Sequence, residues 1–135
     1  MSESQSNRVF LSYAAEDRAW VKEFTSALHD AGVNGFFDAA ELSPGEPWAD
    51  RLEQALRQSR VLVLIISPST AGSPRTLFEL GAAVGANKRV IPVLVDDVPS
   101  DALPPLVRKY QILRESSPGA AGRRVAEALT KLDAA

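Results

Sequence analysis

Arg60-Val-Leu-Val-Leu-Ile-Ile-Ser67 holds an unbroken apolar run between its two polar ends, and is followed by Pro68-Ser-Thr-Ala-Gly-Ser-Pro74 and then by Arg75-Thr-Leu-Phe-Glu79-Leu-Gly81. The first run is rich in β-branched residues, too short for a buried helix, and bounded by polar and proline signals. It reads as a strand covered on both faces. Such a strand needs helices above and below it, which implies a parallel α/β sheet. The middle segment is a loop by composition. The chain then enters a nearly all-apolar helix, from Leu77 to about Asn87, whose only carboxylate is Glu79.

Working outward, the same alternation of strand and helix recurs. Arg8 to Tyr13 is a short apolar strand ending in two hydroxyl side chains, Ser12 and Tyr13. Trp20, Val21, Phe24, Ala27, Leu28 and Ala31 then form the stripe of an amphipathic helix packed on a sheet. Glu16 and Asp17 sit at its positive end, and Gly32 is placed to stop it. His29, the single histidine, falls off the stripe and reads as a solvated residue. Val33 to Asp38 is the second strand, and a long loop runs from Ala39 to Glu46. Pro47 suits a first helical position, and the helix it opens places Trp48, Leu52, Ala55, Leu56 and Ser59 on one face. Arg89 to Val95 is the fourth strand, although Pro92 inside it favours an edge or bulge. A helical turn is expected near Leu106, a fifth strand at Tyr110 to Leu113, and a last helix after Pro118 and Gly119.

At 135 residues this is one domain, with residues 1–7 expected as a flexible tail and residues 8–135 as the folded unit. An apolar content of 45% and a charged content of 24% argue against disorder and a membrane protein. No apolar run reaches the roughly 18 residues that span a bilayer, and the N-terminus lacks a signal-peptide core. A cytoplasmic location is the expectation. The absence of cysteine removes disulfides, thiolate metal sites and thiol nucleophiles together. With one histidine, no metal site is expected, and a net charge of −2 with interspersed signs gives no nucleic-acid surface.

Five alternations of β and α favour a flavodoxin-like three-layer sandwich, a five-stranded parallel sheet in the order 2-1-3-4-5 with helices on both faces. In that order the crevice lies beyond the C-terminal ends of strands one and three. Ser12, Tyr13, Asp38, Ser67, Ser73 and Glu79 are the polar groups near it. There is no Gly-x-Gly-x-x-Gly and no Walker loop. A receiver domain needs an acidic pair where this chain has Ser12-Tyr13. One carboxylate among hydroxyls suffices for cleaving an N-glycosidic bond, where it stabilises an oxocarbenium-like sugar. A base that already carries positive charge, as nicotinamide does in NAD, leaves neutral and needs no general acid. The other reading of Glu79 is a first-turn helix acid favoured by the dipole.

These motifs together resemble the Toll/interleukin-1 receptor (TIR) domain family, in its bacterial form, over about Arg8 to Leu132. Val9-Phe-Leu-Ser-Tyr13 is similar to the family's first-strand motif. Phe37-Asp38, Glu41-Leu42, Gly45 and Trp48 resemble its BB loop and the following helix. Val61 to Pro68 resembles its third strand, and Phe78-Glu79-Leu-Gly-Ala-Ala83 the motif carrying the catalytic glutamate.

The resemblance implies an NAD+ glycohydrolase or ADP-ribosyl cyclase, with NAD+ as substrate and no cofactor. It implies a role in bacterial immune (anti-phage) signalling or NAD depletion, with activation by TIR–TIR assembly. By position, Glu79 would hold the ribose next to nicotinamide, with Ser12, Tyr13, Asp38, Ser67, Ser73 and Trp48 around the substrate. Trp48 and Tyr13 also read as packing residues, and Asp38 and Ser67 as turn caps. Leu42, Pro44 and Gly45 would form the contact between protomers. Two departures stand out: Arg75 occupies a position where many members carry tryptophan, and Ala14-Ala15 replace first-loop arginines of some eukaryotic members. Phosphate contacts then fall to backbone amides or Arg18. The alternatives are a non-enzymatic TIR interaction module, acting as adaptor or virulence mimic, and a nucleoside deoxyribosyltransferase-like enzyme.

Overall fold

Alternate side chains of β3 (Val61–Ile66) enter two different cores. Val61, Val63 and Ile65 point to one, and Leu62, Leu64 and Ile66 to the other, and all six residues are buried. This is the pattern of a strand with both faces covered, as its apolar run requires. A computed structural model describes residues 9–33, 36–38, 50, 54, 57–68, 81–95, 98–99, 101, 103, 105 and 107–134. The expected tail at residues 1–7 lies outside them.

The strands are β1 (Val9–Ser12), β2 (Phe36–Asp38), β3, β4 (Arg89–Leu94) and β5 (Leu113–Arg114), all parallel, in the order β2-β1-β3-β4-β5. Their order is the one expected from the alternation. Helix α1 (Arg18–Asp30) packs against the C-terminal helix (Pro118–Ala134). Val21, Phe24 and Leu28 of the former and Val125 and Leu129 of the latter cover the face that carries Val9, Leu11, Val63 and Val93. The opposite face, with Phe10, Leu62, Leu64 and Leu94, is covered by Ala83 of the helical residues 81–85 and by Val107 of the 3₁₀ turn Val107–Lys109.

Two helix ends are closed by the same device. After α1, the Val33 amide donates to the Leu28 carbonyl and the Gly32 amide to that of His29. Gly32 takes φ 94°, so this is a Schellman motif, and Val33 and Leu28 share the core beside it. After residue 85 the Lys88 amide reaches the Ala83 carbonyl and the Asn87 amide that of Val84, with Asn87 at φ 59°. Asparagine supplies there the left-handed residue that glycine supplies at position 32.

Several expectations are corrected. The fifth strand is Leu113–Arg114, not Tyr110 to Leu113; Ile112 and Tyr110 instead pack on the core of the second face. The last helix includes Pro118 and Gly119: Ser117 caps it, its hydroxyl accepting from the Ala120 amide at 3.3 Å, and Pro118 is the first helical residue. Pro92 is buried inside β4 between β3 and β5, with no edge position. The Arg89 and Val95 amides donate to the carbonyls of Arg60, just before β3, and Ile66, at its end. Odd-numbered amides of β4 therefore face β3, and the missing amide of Pro92 faces β5, whose pairing starts only at Val93. Proline removes no ladder bond there.

Candidate functional site

The register ends β1 and β2 within one residue of each other, while β3 runs two residues further, to Ile66. Leu11 stands opposite Asp38 in β2, and Ser12 opposite Leu64 in β3. Beyond these ends the chain reverses between β1 and β3, so the switch-point crevice lies where the strand order places it. Ser12 is 4% exposed and Ser67 1% exposed, two buried hydroxyls at the crevice floor. Tyr13 is buried too, and its side chain belongs to the core under α1 with Val21 and Phe24. Of the two roles open to Tyr13, packing is the one this placement serves.

The loop after β1 closes as a 3₁₀ turn, Ala15–Asp17, in which the Asp17 amide donates to the Ala14 carbonyl at 2.9 Å. Asp17 occupies the N-cap of α1, yet its side chain makes no cap hydrogen bond. Its carboxylate instead accepts from the Ser67 hydroxyl, Oγ to Oδ2 at 2.5 Å. That is the length of a charge-assisted O–H···O⁻ bond. It joins the root of the loop after β1 to the root of the loop after β3. In sequence Ser67 stands out as a crevice hydroxyl, whereas Asp17 reads only as a helix-dipole acid. Its one signal was an acid at a helix start just beyond a strand that ends at a predicted crevice.

Asp38 is placed by its backbone at the end of β2. Arg18 opens α1 and is exposed, and His29 is exposed as expected. Glu79, Ser73, Trp48, Leu42, Pro44 and Gly45 lie outside the described residues, as does Arg75. Among the described residues no group of three His, Cys, Asp or Glu side chains could hold a metal ion. No helix among them is long and apolar enough to cross a membrane.

Residues 9–128 match the family described as the TIR domain. The chain belongs to the TIR domain family. It is 35% identical over 99 residues, 72% of its length, to "Probable 2' cyclic ADP-D-ribose synthase BdTIR" of Brachypodium distachyon. It is 32% identical over 89 residues, 62% of its length, to "Probable 2' cyclic ADP-D-ribose synthase TcpB" of Brucella abortus (strain 2308). This TIR chain spans 44% and 36% of the lengths of those two relatives. Among solved structures it is similar to a metazoan TIR-STING receptor from C. gigas, with a TM-score of 0.71 and 26% identity, covering 90% of this chain and 40% of that one. Relatives from a plant, a bacterium and a metazoan tie the chain to the TIR family as a whole, where the sequence reading named its bacterial form.

Proposed function

We propose that this TIR domain cleaves the bond between nicotinamide and ribose in NAD+, as a bacterial defence enzyme of the cytosol switched on by assembly. The observation that carries the reading is its 35% identity, over 72% of its length, to a plant protein named as a 2′ cyclic ADP-D-ribose synthase. The strand order supports it, because buried Ser12 and Ser67 and the backbone of Asp38 all lie at the C-terminal ends of the strands around the switch point.

In this reading the Glu79 carboxylate stabilises the positive charge that develops on the ribose as the C–N bond breaks. Nicotinamide leaves with the bonding electron pair and becomes neutral, so no acid is required. Attack by water, which releases one proton, gives ADP-ribose. Attack by a hydroxyl of the same molecule gives a cyclised product. Ser12, Asp38, Ser73 and Trp48 border the substrate, and Leu42, Pro44 and Gly45 contact a neighbouring protomer. The test is chromatographic: purified protein with NAD+ at low and high protein concentration, beside Glu79→Gln. Nicotinamide release that the substitution removes supports the enzyme. No release at any concentration, crowding agents included, would reject it.

A second reading, a TIR interaction module without activity, is favoured by the similarity to a receptor. Assembly that is unchanged in Glu79→Gln, together with no nicotinamide release, is its signature.

A further inference from the structure

We infer that Asp17 and Ser67 are a positioning pair that holds the two loops flanking the switch-point crevice in one fixed relation. Three observations carry it. The Ser67 hydroxyl is buried, 1% exposed, and its single proton is committed to Asp17 at 2.5 Å. A hydroxyl so engaged has no donor left for a substrate and could meet one only as an acceptor. Asp17, in turn, stands where an aspartate would cap α1 through the helix amides, and its side chain does not do so. A side chain that forgoes its best local partner for one 50 residues away serves the tertiary arrangement.

The third observation is topological. Asp17 ends the segment that follows β1 and occupies the N-cap of α1, while Ser67 directly follows β3 and starts the segment leading to Ser73 and Glu79. Strand pairing fixes β1 against β3 only as far as Ser12 and Leu64. Beyond that point the Asp17–Ser67 bond is a link between one loop root and the other. Its effect on turnover rests on the NAD+ reading; its effect on the loop does not.

The test uses the full chain as Asp17→Ala, Ser67→Ala, Asp17→Asn and the double alanine variant. Amide hydrogen exchange at residues 13–17 reads the loop. Each single alanine variant should speed exchange there on the order of tenfold, the worth of a hydrogen bond to a charged group. The double variant should add nothing to either single, because both remove the same bond. Asp17→Asn keeps a carbonyl oxygen that accepts from Ser67 and should stay near the parent. NAD+ turnover in the same proteins should fall about tenfold in the alanine variants and recover in Asp17→Asn, with Tm separating this from global unfolding.

Unchanged exchange at 13–17 in both alanine variants, or additive effects in the double, would overturn the pair. If Asp17→Ala fails to fold, Ser67→Ala against Asp17→Asn makes the same comparison. A parent chain inert towards NAD+ would sink the enzymatic reading alone, because exchange would still decide the pair.

Discussion

Gly122 of the C-terminal helix lies so close to α1 that a β carbon on it would stand 2.7 Å from the Phe24 carbonyl oxygen and 2.6 Å from Ala27 Cβ. Backbone on one side and a methyl carbon on the other cannot give way as a flexible side chain would. The two helices meet here because position 122 carries no side chain. Gly122→Ala is therefore expected to force them apart and cost about 1–3 kcal/mol, seen as a lower urea midpoint. Gly119, in the same helix, has only the end of the Arg123 side chain nearby at 3.5 Å. Gly119→Ala should gain up to about 1 kcal/mol by reducing the freedom of the unfolded chain.

Asn87 adopts φ 59° while its amide closes the helix end at Val84. Asn87→Gly should leave stability unchanged or slightly raised, and Asn87→Ala should lower it by about 1 kcal/mol. Thermal unfolding of the two variants side by side checks the sign of the difference.

The Trp20 indole stacks on Phe24, with centroids 5.4 Å apart, and donates from Nε1 to the Ser116 carbonyl at 2.9 Å. It thereby ties α1 to the segment entering the C-terminal helix. Trp20→Phe keeps the stack and loses the bond, for an expected cost of about 1 kcal/mol. Trp20→Ala loses both and should cost about 3 kcal/mol. No loss for Trp20→Phe in denaturant unfolding would show that the hydrogen bond contributes nothing, and equal losses in the two variants that the stack adds nothing.

Ser117 caps the C-terminal helix through its hydroxyl. Ser117→Ala should cost about 1 kcal/mol, and Ser117→Asp, which accepts from the same amide, should recover it. Circular dichroism on heating reads both.

Glu79→Gln preserves shape and removes the charge. On the proposed NAD+ cleavage, nicotinamide release should fall at least about 100-fold with Tm unchanged, the scale of a lost transition-state electrostatic contact. A fall of only a few-fold would place the critical charge elsewhere.

Much of this chain could be read from local chemistry alone. The apolar run at Val61–Ile66, the helical stripe through Val21, Phe24 and Leu28, and the turn signal of Gly32 specified the elements and their parallel order. Their causes act within a few residues: side-chain period, β-branching and the freedom of glycine at positive φ. His29 was legible for the same reason, since its place off the stripe already put it in solvent.

Tertiary structure decided what no neighbouring residue could. Pro92 sits in an inner strand because its absent amide faces β5 where β5 has not begun, and that depends on β5 shrinking to Leu113–Arg114. Gly122 is required by a helix crossing and not by its own backbone angle. Asp17 had a local use as a helix cap; only the convergence of β1 and β3 brought Ser67 within 2.5 Å and gave its carboxylate a distant partner. Local preferences name the elements, and partners far apart in sequence acquire their roles when the sheet brings them into contact.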